Sequence, residues 1–190
     1  VLSNFFILLA LRRLVSLQTL NAPKEKIFDA SLWIFVASLF HFWAILFFFI
    51  VYVSIIFHVS RDYRNWLLPF VAFFTSVVIF VFFSLLVDKS LIGSYLEKRT
   101  VYFELDYFQN DFQNIALSCF AVFSVFFVLP AVFSLTSKPL NLQASYKKIL
   151  FSFFIGIIIF IISPNKSNDF LIFTFFPISV MATNYIEYNK

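Results

Sequence analysis

The chain has 190 residues, of which 62% are hydrophobic and 13% are charged, and its mean hydropathy is +0.92. Soluble domains carry about 25% charged residues, so water could not cover this much apolar surface, and the composition excludes a soluble globular protein. The formal net charge of +4 matches the basic excess of cytoplasmic membrane-protein loops and argues against a nucleic-acid-binding function. We expect an all-α, polytopic transmembrane bundle, a single domain over residues 1–190 with about six or seven membrane helices or half-helices.

Apolar stretches and polar connections alternate along the chain. The apolar stretches are 1–11, 30–57, 67–87, 115–135, 149–163 and 170–184. They lack the alternation, in segments of about ten residues, that marks outer-membrane barrels, so each is predicted to be helical. The first stretch is too short to cross about 30 Å of hydrocarbon at 1.5 Å per residue. We therefore expect the sequence to begin part-way through a helix, with upstream helices missing.

The stretch 30–57 would form a single helix of roughly 42 Å, well beyond the hydrocarbon core. It could tilt as one helix, or it could break into a hairpin near 40–43. Histidine and tryptophan prefer the membrane interface to the bilayer centre, which favours the break. The positive-inside rule favours the hairpin, which places ten of the 14 basic residues on the cytoplasmic side. These ten are Arg12, Arg13, Lys24, Lys26, Arg61, Arg64, Lys138, Lys147, Lys148 and Lys190.

Helix-end chemistry gives two local expectations. Asp29 precedes the apolar stretch 30–57 and is predicted to cap a helix N-terminus. The last two stretches, 149–163 and 170–184, would be only about 22 Å long as helices. Lys147 and Lys148 are therefore expected to snorkel towards the interface.

Rare residue types limit both packing and chemistry. Gly93 and Gly156 are the only glycines, so close helix packing is expected to depend on serine and alanine. Cys119 is the only cysteine, which excludes an internal disulfide and a cysteine metal cluster. His41 and His58 would lie roughly 25 Å apart on one helix and at opposite membrane faces in a hairpin. We expect no metal site and no cofactor.

The connection 88–114 is predicted to be an extracytoplasmic surface connection. Leu91, Ile92, Tyr95 and Leu96 recur at helical spacing, which predicts a short surface helix over 90–96. Polar and apolar residues alternate over 101–107, which is typical of an extended segment.

Two groups of charged residues are candidate binding sites. The first group is acidic and consists of Glu97, Glu104, Asp106 and Asp111. Carboxylates that lie beside tyrosine and amide side chains could bind a sugar or act as acid and base. The same residues could instead belong to an ordinary solvated loop. Arg61 and Arg64 could bind a lipid phosphate, or lie in a solvated loop anchored at the interface by Trp66. No charged residue lies near the middle of an apolar stretch, which argues against an ion pump or a proton-coupled transporter.

Four segments and Pro69 carry a resemblance to a known family. They are 9–17 (LALRRLVSL), 26–33 (KIFDASLW), 37–43 (ASLFHFW) and 62–67 (DYRNWL). This part of the chain resembles an uncharacterised family of multipass inner-membrane proteins of Bacteroidota, a resemblance that implies additional upstream helices and assigns no catalytic residue. It is more weakly similar to the C-type polyprenyl-phosphate-sugar glycosyltransferases, whose acidic residue on an early extracytoplasmic loop has no counterpart here.

Together these features predict a structural or accessory subunit of a cell-envelope complex in the bacterial inner membrane. We expect contacts with membrane lipids and other membrane protein subunits, and none with nucleic acid. The alternative is a C-type glycosyltransferase that uses a lipid-linked sugar donor. A respiratory subunit encoded in an AT-rich organelle genome is a further hypothesis. A transporter would need a polar path, for which the sequence offers only Ser38, Ser54, Thr75, Ser76, Ser118 and Ser124.

Overall fold

The computed structural model describes residues 1–59, 62–88, 90–97, 110–163 and 167–188. Within these ranges the chain forms eight α-helices joined by turns and 3-10 segments, and the described residues contain no strand. The helices are α1 (Leu2–Val15), α2 (Pro23–Phe40), α3 (Phe48–His58), α4 (Tyr63–Val87), α5 (Ser90–Glu97), α6 (Asp111–Phe133), α7 (Leu140–Ile162) and α8 (Ile172–Tyr188). The predicted all-α class is confirmed.

Four helical segments are long and apolar enough to cross a membrane: Tyr63–Val87, Asp111–Ser137, Leu142–Ile162 and Asn168–Glu187. The last two segments have 21 and 20 residues, which is about 30 Å at 1.5 Å per residue. The expectation of two short final helices is therefore wrong, because α7 extends back through the polar residues before 149 and α8 continues through Pro177. The chain is a multipass membrane protein.

By its internal contacts the chain divides into two compact units, Val1–Thr100 and Val101–Lys190. In the first unit, α1 and α2 pack against each other in antiparallel directions. The hydroxyl of Ser3 near the start of α1 donates to the carbonyl oxygen of Ala37 near the end of α2 at 2.9 Å. Small side chains allow this close packing, and those that are buried on the two helices are Ser3, Ala10, Ala30, Ser31, Ala37 and Ser38. Serine and alanine thus pack these helices closely without glycine, as the composition predicted.

The predicted break in 30–57 is confirmed. Helix α2 ends at Phe40, His41 is extended with φ −140° and ψ 108°, and a 3-10 segment (Phe42–Phe47) leads into α3. The ammonium of Lys24 lies 3.3 Å from the carboxylate of Asp62, so the chain that leaves α3 has returned by the N-cap of α4 to the end of the unit where α2 begins. Helices α2 and α3 therefore form a hairpin.

The predicted cap at Asp29 is wrong. Helix α2 begins at Pro23, six residues earlier, with proline in the first turn. Proline stabilises a helix start because its fixed φ suits the first turn, where no intrahelical N–H bond is lost. Asp29 instead lies in the second turn, and its carboxylate pairs with the guanidinium of Arg13 on α1 at 3.2 Å.

The opposite end of the first unit is closed by α5, where a short surface helix was predicted. The ring of Tyr95 lies 5.5 Å from the rings of Phe42 and of Phe80, measured between centroids. Its hydroxyl lies 3.2 Å from the hydroxyl of Ser38. Tyr95 thus connects α5 to the hairpin turn and to α4.

The second unit is built from α6, α7 and α8. Its core contains Ile149 and Phe153 from α7 and Met181 from α8, with Phe127, Val128 and Ala131 of α6 packed against them. Gly156 of α7 lies where α8 approaches most closely: a β-carbon there would be 2.6 Å from Cγ2 of Thr174 and 3.2 Å from the backbone carbon of Phe173. Only the absence of a side chain allows this contact.

We predict that Gly156→Ala will destabilise the protein by about 1–3 kcal/mol, because the added methyl group meets backbone atoms that cannot move away easily. Unfolding in detergent micelles, followed by circular dichroism, measures the change. Gly93→Ala on α5 is the matched control, since its added β-carbon would have no atom within 4 Å. Equal midpoints for the two variants would contradict the close approach of α7 and α8.

Candidate functional site

The predicted acidic site is only partly described by the structure. Glu97 is exposed in the last turn of α5, in the first unit, and Asp111 is exposed at the first residue of α6, in the second unit. Glu104 and Asp106 lie outside the described residues. The sugar-binding or acid–base role of this group therefore stays a prediction.

Asp111 has a local structural role beside that prediction. The side-chain oxygen of Asn110 accepts hydrogen bonds from the backbone amides of Phe112 at 3.1 Å and Gln113 at 3.4 Å, and so caps α6. The carboxylate of Asp111 then lies in the first turn of the helix, where the macrodipole favours negative charge by about 0.3–1 kcal/mol.

Arg64, one of the two predicted phosphate-binding arginines, lies in the first turn of α4. Its guanidinium carbon is 6.0 Å from the centre of the Tyr63 ring, and its backbone amide donates to the carboxylate of Asp62 at 3.0 Å. Arg61 lies outside the described residues. The role in binding lipid phosphate stays a prediction for both.

Basic and hydroxyl side chains also interact at the end of the first unit where α1 ends and α2 begins. The ammonium of Lys26 donates to the carbonyl oxygen of Ser16 at 2.7 Å and to the hydroxyl of Thr19 at 2.9 Å. These bonds satisfy acceptors just beyond the C-terminus of α1, where a helix leaves carbonyl oxygens without intrahelical donors. With Arg12, Arg13 and Lys24, this end of the unit carries the positive charge expected of a cytoplasmic face.

The two histidines occupy opposite ends of the hairpin. His41 follows the last residue of α2 at the turn, and His58 is the last residue of α3. Within the described ranges, no three histidine, cysteine or acidic side chains are grouped closely enough to hold a metal ion.

Hydroxyl groups within the apolar helices bond to their own backbone. Ser54 donates to the carbonyl oxygen of Ile50 at 2.7 Å, and Ser76 donates to that of Ala72 at 2.8 Å. Ser38, Thr75 and Ser124 likewise donate to a carbonyl oxygen three or four residues earlier. These five hydroxyls are among the six considered for a polar path, and they are satisfied locally instead of forming a chain across the bundle.

A polar cluster in the second unit was missed by the sequence reasoning. It consists of Lys138, which follows the 3-10 segment Ser134–Ser137, Tyr146 on α7 and Asn184 on α8. The side-chain oxygen of Asn184 accepts from the hydroxyl of Tyr146 and from the ammonium of Lys138, the latter at 3.5 Å. The ammonium also lies 5.0 Å from the centre of the Tyr146 ring, within the range of a cation–π contact.

The backbone holds this cluster in place. Lys138 is extended, with φ −75° and ψ 150°, because the following Pro139 disfavours the helical conformation at the residue before it. Its carbonyl oxygen accepts from the side-chain amide of Gln143 at 2.8 Å. The side-chain N–H of Asn184 donates to the carbonyl oxygen of Val180 at 2.8 Å, which fixes the direction of the amide.

The cluster borders a cavity of about 270 Å³ at the end of the second unit where α6 ends, α7 begins and α8 ends. Most of its lining is apolar or aromatic, and it is formed by Pro130, Ala131, Phe133, Ser134, Leu135, Lys138, Tyr146, Met181, Asn184 and Tyr185. The size is just below that of drug-sized ligand pockets, which begin at about 300 Å³. We call this space the Lys138 cavity.

Sequence reasoning treated Lys138 as a topology signal and Asn184 as the end of an apolar stretch. Their contact joins residues 46 positions apart, so it depends on the packing of α8 against α6 and α7. The available signal was the amide of Asn184 within the apolar segment Asn168–Glu187, since a polar side chain inside a spanning segment needs a hydrogen-bond partner.

Searches against protein-family models, curated proteins and solved structures find no match to this chain. Functional inference therefore rests on the geometry of the chain itself.

We predict that Asp62→Ala will lower the thermal stability of the purified protein, because it removes the cap of α4 and the partner of Lys24. Asp62→Asn should retain more stability, since asparagine caps about as well as aspartate. Melting of both variants in detergent at neutral pH tests this, and an unchanged midpoint for Asp62→Ala would contradict it.

The carboxylate of Asp62 also predicts that the stability of the folded protein depends on pH. The backbone amide of Arg64, and then Lys24, lower the pKa of Asp62 below its usual 3.8. A lowered folded-state pKa gives stability that is present above the unfolded pKa and is lost as pH falls through the folded value. The difference in midpoint between the native protein and Asp62→Asn should therefore disappear at the acid end of a pH series, and a difference that grew on acidification would contradict this assignment.

Proposed function

We propose that this protein is a structural or accessory subunit of a cell-envelope complex in the bacterial inner membrane. The observation that carries the proposal is the exposure of the two most apolar of its four candidate spanning segments. In the apolar window of α4 only 17% of the residues are buried, and in that of α6 only 6%. Within α6, Ser124 is the buried residue. Helix α6 leaves almost its whole circumference for contacts beyond the chain, and α4 leaves the face opposite its buried residues Ala72 and Ser76.

Large aromatic side chains cover the exposed surfaces of α4 and α6. Phe112, Phe123, Phe126 and Phe133 are exposed along α6, and Phe70, Phe74 and Phe82 are exposed along α4. In lipid, helices associate through van der Waals packing and hydrogen bonds because acyl chains are as apolar as the side chains. Aromatic rings supply large contact areas with few rotatable bonds, which supports a role in packing against other membrane subunits.

The chemistry of the described residues supports the same proposal. The hydroxyls of the apolar helices are satisfied by their own backbone, and the charged side chains gather at helix ends. We propose that the ends with Arg12, Arg13, Lys24, Lys26 and Arg64, and with Lys138, Lys147 and Lys148, face the cytoplasm. The glycosyltransferase alternative stays a prediction, since the acidic residue on an early extracytoplasmic loop that it requires has no counterpart here.

Cys119 offers a direct test, because it is the only cysteine of the chain and lies exposed on α6. A photo-reactive maleimide attached there should crosslink to one discrete membrane protein in intact membranes. The same protein should co-purify in mild detergent, and deletion of this chain should disrupt the complex that contains it.

The matched control is Cys119→Ser, which removes the only thiol of the chain. Any protein crosslink that persists in this variant is independent of position 119. Lipid adducts alone from Cys119, together with a monomeric protein in mild detergent and intact envelope complexes after deletion, would contradict the proposal.

A further inference from the structure

The Lys138 cavity combines a positive charge with an apolar lining. In the described part of the chain, the ion pairs are Arg13–Asp29 and Lys24–Asp62, both in the first unit. Lys138 therefore has no carboxylate partner among these residues. Its neighbours in the described part of the chain are the neutral amide oxygen of Asn184 and the ring of Tyr146, neither of which carries a negative charge.

The neighbours of Lys138 position its ammonium without using all of its donors. An ammonium has three N–H groups, and the described contacts are one long bond to Asn184 and the face of the Tyr146 ring. Tyr146 also donates to Asn184, so the amide oxygen is held between the two side chains. The contacts with described residues leave at least one N–H of Lys138 for an anionic ligand beside the cavity.

The other walls fit a hydrocarbon chain. Pro130, Phe133, Leu135 and Met181 line the cavity with apolar groups. A free polar anion would gain nothing from these walls, whereas an amphiphile would bury apolar surface at about 25 cal/mol per Å². The combination therefore selects a ligand with one negative headgroup and an attached acyl chain.

The place of the cavity in the fold agrees with such a ligand. It lies where the spanning segments Asp111–Ser137 and Asn168–Glu187 end and Leu142–Ile162 begins. Lys138, Lys147 and Lys148 are at this end with one described carboxylate, Glu187, whereas Asp111 and Asp169 are at the other. By the positive-inside rule the cavity opens at the cytoplasmic leaflet, which carries the anionic lipids.

We propose that the Lys138 cavity binds one anionic phospholipid. The headgroup phosphate accepts from the ammonium of Lys138, and the first part of an acyl chain lies along Pro130, Phe133 and Met181. Tyr146 and Asn184 are positioning residues, since they act on the ligand by holding the ammonium.

The test is lipid binding to the full chain, purified in detergent and delipidated, measured by native mass spectrometry. Phosphatidylglycerol and phosphatidylcholine with identical acyl chains are the two probes. We expect phosphatidylglycerol to bind about five- to tenfold more tightly at one site per chain, since one lysine near a membrane surface contributes roughly that factor. Equal binding of the two lipids by the native protein would overturn the proposal without any variant.

Substitutions then assign the site. Lys138→Met should abolish the preference for phosphatidylglycerol, while Lys138→Arg should retain it because the charge remains. Lys147→Met is the matched control, since Lys147 is exposed at the same end of the unit and lies outside the cavity lining, and it should leave the preference unchanged. Retained preference in Lys138→Met, or equal loss in Lys147→Met, would overturn the assignment.

Inorganic phosphate separates a lipid site from a simple anion site. An excess of free phosphate should not displace phosphatidylglycerol, because it cannot use the apolar walls. Displacement by phosphate alone would show that the cavity recognises the free anion, and would overturn the assignment of a lipid ligand.

Discussion

The structure depends on one constraint: in the hydrocarbon core there is no water, so each polar group must find its partner within the protein. Helices meet this requirement for the backbone, and Ser54, Thr75, Ser76 and Ser124 meet it for their hydroxyls by donating to carbonyl oxygens of the same helix. Most charged side chains of the described residues lie at or near helix ends, where headgroups and water are available. Lys148, which is fully buried in the second turn of the spanning segment Leu142–Ile162, is an exception. Apolar side chains can then cover the length of the spanning helices.

The same constraint shapes packing and chemistry. Without a hydrophobic driving force between helices, close packing needs small residues, and the chain uses serine and alanine between α1 and α2 and Gly156 between α7 and α8. The polar cluster of Lys138, Tyr146 and Asn184 lies at the margin of the apolar region, where its members bond to one another. The contacts of this cluster therefore lie near the ends of the spanning segments Leu142–Ile162 and Asn168–Glu187.

Class, spans and the hairpin could be predicted because they follow from length, hydropathy and charge, which are properties of contiguous sequence. The break at His41 is an example: residue type and helix length both indicated it. The start of α2 could not be predicted from hydropathy, because the apolar stretch begins after Asp29 whereas Pro23 starts the helix six residues earlier. Gly156 and the contact of Lys138 with Asn184 depend on how α8 packs, which no local pattern encodes.

The central claim is that these apolar helices are solvated by acyl chains, and alkaline carbonate extraction of membranes from expressing cells tests it most directly. Carbonate strips peripheral proteins and leaves membrane-spanning helices in the bilayer. The account predicts that the chain stays in the membrane pellet and is released only by detergent. Recovery of folded, monodisperse protein in the aqueous fraction without detergent would contradict it.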